Sequence, residues 1–423
     1  MGISHFIRRQ ITQIRRGGRN VLSQKISRFL NFLLYPFALI AVLAGRCLRP
    51  IVLIRFGALH SDIIGVFAAM PELFLCEKDA GINQPGKQSF DVWYFGPGIS
   101  NQQLARMWQR VFRVWPRWMI APVVAVNRLI PGGEAHEIRK NNCRDVRHLF
   151  ERFPSHLQLT ADEESWGKEE LRKFGVETDA KFVCILARDG GFKANAAPNM
   201  DWSYHDYRNT DVNNYVPAAE ALVAKGFYVF RMGSFVTQRL NTQNPKIIDY
   251  ASDGRRSDFM DIYLGAKCEF CITMGSGWDA IPFVFRRSIV YVNLVPLGYI
   301  HSFSARYLSI TRHHWSTRAN RKLTLNEIFS HGVAFAQATL DYREREVRLI
   351  ENTPEEILEV TLEMVARLDG TWQEQTDDEM LQSRFLSQFR AHAYDPPNGQ
   401  VIHGELRGRF GAGFLRRNRD WLD

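Results

Sequence analysis

Lys181-Phe182-Val183-Cys184-Ile185-Leu186-Ala187, followed at once by Arg188-Asp189-Gly190-Gly191, is the stretch on which the fold turns. An uninterrupted aliphatic and aromatic body of this length reads as a strand buried on both faces, and the glycines mark where the chain leaves the sheet. Downstream the pattern repeats: a helix over 214–225, a strand over 227–231, a helix near 259–264, and strands over 270–273 and 288–293. Strand alternating with helix implies a parallel sheet covered on both sides. A similar, shorter series lies upstream, with a strand over 50–55 ending at Gly57, a helix from Ser61 or Asp62 to about Leu75, a strand over 90–95 and a helix over 101–112. Between Trp115 and Phe153 Trp, Pro and Arg mix without a period, and a polar helix over 161–174 then leads into the second series. The reading is an α/β protein with two Rossmann-like halves, over 49–160 and 161–350. A helical tail over 351–423 follows, its last residues crossing back to the first half. The length of 423 residues agrees, because single cores stop growing at roughly 250–300 residues.

The net charge of +9 is unevenly placed. Ten basic side chains precede Asp62, the first acid, and the remainder holds 44 basic against 45 acidic residues. Basicity confined to one end points to an anionic membrane surface and away from nucleic acid. Ile3, Ile7, Ile11 and Ile14 fall within about 80° of one another on a helical projection, with Arg8, Arg9, Arg15 and Arg16 opposite. An apolar run over 29–45 follows, interrupted by Asn31 and Pro36 and flanked by positive charge on both sides. A spanning helix needs about 20 apolar residues, so residues 1–48 are expected to lie in the plane of a membrane, at the cytoplasmic face of the inner membrane, as a peripheral or monotopic anchor; an apolar helix packed on the protein or a partner subunit, and a single span, are the alternatives. Cys47, Cys76, Cys143, Cys184, Cys268 and Cys271 lack the dense spacing of a disulfide framework. The Cys268/Cys271 pair has no second pair to complete a zinc site, and both are read as core thiols.

In open α/β sheets ligands sit beyond the carboxyl ends of strands. After the first strand, His60 and Asp62 stand where either could take a proton from an acceptor hydroxyl. After the strand over 181–187, Arg188, Asp189 and Gly190 combine a guanidinium with glycine, which lets a backbone approach a diphosphate. The long polar loop that follows carries Tyr207, Arg208, Asn209 and Asn214. Arg231 and Gly233 repeat the motif of a basic residue and a glycine at a strand end. Gly275-Ser276-Gly277, with Asp279, places exposed amides between a strand and a helix start, a setting that suits an anion. No GxxxxGK[ST] is present, no GxGxxG follows the first strand, and no DxD offers a divalent cation to a sugar nucleotide. Phosphate neutralisation is expected from arginine and helix dipole, with no metal and no cofactor beyond a nucleotide-sugar co-substrate.

Arg55-Phe56-Gly57, Cys143-Arg144-Asp145, Tyr207 to Tyr215, Arg231-Met232-Gly233, Gly275 to Trp278 with Pro282, and Phe414-Leu415 to Trp421-Leu422 resemble bacterial glycosyltransferases encoded with surface-polysaccharide genes. The resemblance implies the GT-B arrangement of two Rossmann-like domains facing a cleft. It also implies a nucleotide-sugar donor, a glycan or lipid-linked acceptor, and partners in capsule or lipopolysaccharide assembly. On this reading Arg188, Arg231 and the Gly275–Gly277 turn meet the phosphates, Asp279 or the 207–214 loop meets the sugar or ribose, and Asp62 or His60 is the base. Transfer of a pyruvyl or phosphoryl group to polysaccharide, and a non-catalytic scaffold on the same fold, are the alternatives.

Overall fold

A computed structural model describes residues 33–191, 201–393, 399 and 401–423. The amphipathic helix expected within residues 3–16 lies outside the described residues. The chain divides into two compact units: 1–62, 83–99 and 108–140 form the first, and 63–82, 100–107 and 141–423 form the second.

In the first unit β1 (Leu53–Leu59) and β2 (Ser89–Phe95) pair in parallel. The first strand starts three residues later than its apolar run suggested and continues through Gly57. The cause is Arg55, which is buried rather than terminal and stands in register with Asp91. Its Nε and Nη2 donate to the two carboxylate oxygens at 2.7 and 2.8 Å. The unperiodic stretch after Trp115 contains a helix, α4 (Arg117–Leu129), with Pro116 at its N-cap and Pro122 inside. Ile120 and Val124 of α4 pack on Val92 and Tyr94 of β2. A further helix, α1, covers 33–47 and packs Ala38 and Val42 against Val126, Val123 and Ile130. Among the described residues no helix is long and apolar enough to cross a membrane.

The second unit is built on a seven-stranded parallel sheet of β3 (Phe182–Leu186), β4 (Tyr228–Arg231), β5 (Ile247–Ile248), β6 (Phe270–Thr273), β7 (Ser288–Leu294), β8 (Tyr307–Thr311) and β12 (Arg409–Phe410). They lie in the order β12-β8-β7-β6-β3-β4-β5. Read from β5 to β8, the sheet runs third, second, first, fourth, fifth, sixth, the doubly wound order that reverses direction between its first and fourth strands. A separate antiparallel sheet places β9 (His313–Ser316) between β10 (Arg321–Lys322) and β11 (Val347–Ile350). The helix expected over the tail is present as Pro354–Leu368, begun by a Thr353/Glu356 capping box. The closing residues, expected to return to the first half, are counted with the second unit, where β12 extends the sheet beside β8. Cys184, Cys268 and Cys271 are buried free thiols, as expected.

Helix α2 (Ile64–Asp79) starts after an extended Ile63, later than expected, and Asp62 takes no part in capping it. Its fully buried Glu72 anchors the second unit: Arg286 Nη2 donates to Glu72 Oε1 at 2.5 Å, and the His156 amide also reaches that carboxylate. Glu72, Cys76 and His156 are close enough to share a cation. Arg286 already fills that role, with its Nη2 also 3.5 Å from Cys76 Sγ. Both His156 ring nitrogens face carboxylates, Nδ1 to Glu72 at 3.3 Å and Nε2 to Asp79 at 2.9 Å, which fits a doubly protonated ring. Burial opposes that charge, but the hydrogen bonds and fields of Glu72 and Asp79 outweigh it and raise the pKa above the ordinary histidine value. A raised folded-state pKa gives stability that is whole below the unfolded value of about 6.5 and is lost as pH rises through the folded value. The melting temperature is therefore expected to fall as pH rises from about 6 to 8, and less steeply in His156→Gln. Parallel pH profiles of the two proteins would remove His156 from this role.

Candidate functional site

The reversal of strand order brings the loop after β3 beside the loop after β6, where an open α/β sheet leaves a crevice for a ligand. Arg188 leaves the sheet two residues beyond β3, and Gly275-Ser276-Gly277 follows β6. The long loop bridges them: Arg208, at the end of the 3-10 turn Ser203–Arg208, donates through Nη2 to the Gly275 carbonyl. Gly275 holds φ +83°, a conformation costly for any side-chain-bearing residue, and so turns that carbonyl toward the guanidinium.

Arg188 and Arg208 therefore stand at the same mouth. Burial, and then the charge of Arg208, lower the Arg188 pKa to about 10. Among the described residues neither guanidinium makes an ion pair, and Arg208 Nε is enclosed without an acceptor. The field of Asp206 offsets this only in part, and two partly desolvated like charges without an ion pair are unfavourable unless an anion joins them. Two further basic groups lie near this end of the sheet. Arg144, nearly buried, gives its guanidinium to the carbonyls of Tyr299, Ile300 and Ile402 at 3.3, 2.8 and 2.6 Å. His301 stacks on Tyr291 with ring centroids 4.5 Å apart. Burial, then Arg144, His403 and Arg208, hold the His301 pKa down at about 3, so its ring is neutral. Neither was a candidate from sequence, because the role of Arg144 depends on carbonyls more than 150 residues away.

Other sequence candidates have structural duties. Arg231 is fully enclosed and pairs with Asp249 at 3.0 Å, so it is an internal ion-pair member rather than a phosphate ligand. Gly233 shapes the loop beyond it, where an added Cβ would meet Val236 at 2.8 Å. Asp189 accepts from the amides of Gly191, Thr237 and Gln238, which ties two loops together. Gly190 lies exposed beside it. Asp279 is buried and receives the Ser276 amide at 2.7 Å and the Thr273 hydroxyl at 3.2 Å. Burial lifts its pKa to about 6 against those two bonds. Both bonds end on Oδ2, and that oxygen braces the turn. Asn209 bonds Asp206, its carbonyl receives Arg312, and Asn214 is held by Glu351 at 3.3 Å. Tyr207 does face open space, a cavity of about 400 Å³ that it lines with Arg312, Thr339, Tyr342 and Arg348.

Gly65, which sequence reading passed over, lies in the first turn of α2. A Cβ there would come within 2.9 Å of the Gly277 carbonyl, so the two glycines allow helix and turn to meet backbone to backbone. In the first unit Asp62 is exposed, while His60 is partly buried with Nε2 enclosed and without a partner. Burial, then the charge of Lys140, lower the His60 pKa and keep its imidazole neutral, the form a proton acceptor requires.

No family model matches the chain, and neither does any curated protein. Solved structures do resemble it. A glycosyl transferase family 9 protein from Veillonella parvula DSM 2008 is 10% identical over 61% of this chain and 85% of its own, with a TM-score of 0.38. E. coli ADP-heptose LPS heptosyltransferase II is 12% identical over 74% and 98%, at 0.35. E. coli heptosyltransferase WaaC, solved with ADP-2-deoxy-2-fluoro heptose, is 13% identical over 61% and 92%, at 0.29. These three are glycosyltransferases. The likeness is loose and assigns a role to no residue of this chain.

Proposed function

We propose that the protein transfers a sugar from a nucleotide-diphosphate donor to a glycan or lipid-linked acceptor. The observation that carries this reading is the pair Arg188 and Arg208, without an ion pair among the described residues, at the switch point between β3 and β6. A guanidinium offers planar, paired donors suited to phosphate oxygens, and charge that grows on a leaving diphosphate rewards donors already in place. The Gly275–Gly277 turn supplies close backbone approach, and the cavity beside Tyr207 and Tyr342 has room for a sugar or ribose. Asp62, which is exposed, and His60, neutral but with its Nε2 enclosed, are the candidate bases for an acceptor hydroxyl.

A panel of nucleotide sugars screened by thermal shift tests the donor. A ligand at 100 times its dissociation constant adds about 2.7 kcal/mol, and Arg208→Ala should abolish the shift. Hydrolysis of the same donor without acceptor should release the nucleoside diphosphate. A panel in which no nucleotide sugar shifts the protein would remove the reading. Since arginines take the phosphate charge in this proposal, turnover is expected to survive chelation nearly unchanged. Stimulation by magnesium or manganese of about tenfold or more, 1.4 kcal/mol of barrier, would count against the arrangement.

A further inference from the structure

In the first unit α1 is bound to the body along one stripe only. At about 100° per residue, Leu33, Phe37, Ile40 and Ala44 fall on the side opposite Ala38 and Val42, the pair that packs against α4. Phe37 is 70% exposed and Ile40 65%. No charged residue occurs between 33 and 45, so this outer face holds nothing that water would solvate well.

The neighbouring helix continues the surface. On α4, Ile120 and Val124 turn to the sheet and Val123 and Val126 to α1. Trp118 and Leu129 lie roughly 160–180° round from Ile120 and are exposed, and Trp115 stands exposed just before the helix. The pairing is fixed at one end by Arg46, whose guanidinium donates to the carbonyls of Ile130 and Pro131 at 3.1 and 2.7 Å and to Asn127 Oδ1 at 3.2 Å. A cation at a helix C-terminus satisfies carbonyls that the helix cannot. The two helices thus form one folded plate, not a loose tail attached to a body.

Charge follows the same division. By sequence the first unit contains 17 Lys and Arg against four Asp and Glu, ten of the 17 among the described residues, while the second has a surplus of four acids. Exposed apolar patches of this breadth mark interaction sites. An apolar face with tryptophans, beside which Arg49, Arg117 and Arg128 are exposed, selects a particular partner, since tryptophan favours the bilayer interface and arginine favours anionic headgroups.

We infer that the α1–α4 plate is a monotopic seat on an anionic lipid bilayer, with Phe37, Ile40 and Trp118 entering the acyl boundary and the arginines remaining among headgroups. The seat belongs to the folded first unit and uses α4 as well as α1. It does not depend on the reaction the protein catalyses.

The full chain, mixed with vesicles of phosphatidylcholine or of phosphatidylcholine with phosphatidylglycerol, is the test. The wild type should float with the phosphatidylglycerol vesicles and less with the neutral ones. Phe37→Asp/Ile40→Asp should weaken partitioning on the order of a hundredfold, the scale of two apolar side chains denied burial, with an unchanged melting temperature. Brominated lipid should quench tryptophan emission in the wild type and less in Trp118→Phe, a readout that stands even if the double variant fails to fold. Three results would overturn the inference: wild type that stays with neither vesicle, quenching indifferent to Trp118, or a lipid-free dimer that Phe37→Asp/Ile40→Asp dissociates, which would make the face a contact between two copies.

Discussion

Arg188→Ala is expected to lower kcat/KM for nucleotide-sugar transfer by about 10² or more, the scale of removing one charge-stabilising donor. Its melting temperature should hold or rise. The two parts separate a substrate ligand from a structural arginine. A structural arginine is neutralised by the fold, and its loss leaves a buried acid unpaired. Arg188 has no ion-pair partner among the described residues and stands in the field of Arg208, so deleting it relieves repulsion in the free protein. As the glycosidic bond breaks, charge grows on the diphosphate, and the guanidinium contributes most at that moment. Arg188→Lys should recover only part of the rate, because lysine keeps the charge without the planar fork. Arg208→Ala should cost a similar factor, and the double variant less than the product of the two, as groups acting on one anion do. Steady-state kinetics alongside thermal melts decide the matter. Normal turnover in Arg188→Ala, or loss of activity only through unfolding, would move the donor site elsewhere.

The largest stability effect should come from the Arg286–Glu72 pair. Arg286→Ala is expected to cost about 3–5 kcal/mol, the scale of breaking a buried pair, at the low end because His156 still faces Glu72, read as a lower urea midpoint at constant m. Glu72 is fully buried, and Arg286 holds it while also donating to the carbonyls of Phe153 and Pro154 and lying 4.2 Å over the Phe150 ring. Arg286 does this at φ +62°, a left-handed conformation that disfavours every residue but glycine by roughly 1–2 kcal/mol. Arg286→Gly should therefore be less damaging than Arg286→Ala by about 1 kcal/mol, although the smaller side chain supplies no more of the lost contact. If glycine proved the worse of the two, backbone strain at 286 would not be the quantity it relieves.

How far such sites can be read from sequence depends on where their partners lie. The strands over 182–186, 270–273 and 288–294 were legible because each is buried on both faces and is mostly apolar, with β7 also carrying Ser288 and Asn293. Helix α4 was not, since Trp118, Pro122 and Arg128 obscure a periodicity that serves two neighbours at once, the sheet and α1. Arg188 and Gly275 stood out as residues at strand ends, and the parallel order places them side by side. Arg231 had the same local appearance, but Asp249, 18 residues on, claims it. Asp279 reads as a ligand from sequence, and its Oδ2 also braces its own turn, a duty the sequence does not signal because hydrogen bonds from Ser276 and Thr273 leave no trace in residue type. The pairing of Gly65 with Gly277 is a contact of absent side chains, which composition cannot signal.

The position of β12 bears on how the chain is made. Arg409 and Phe410 pair with Leu308 and Ser309, and Phe410 joins Phe385 and Trp421 in an aromatic cluster, with ring centroids 4.4 and 5.3 Å from it. During synthesis from the N-terminus, β8 must therefore wait about a hundred residues for the neighbour that covers its free edge. Until then that edge presents unpaired amides and carbonyls to whatever is near, the state in which strands recruit foreign ones. The nascent chain is most exposed to misassembly late, after nearly all of its core has been translated, and a ribosome-stalled form ending before residue 409 should be the species that chaperones hold longest.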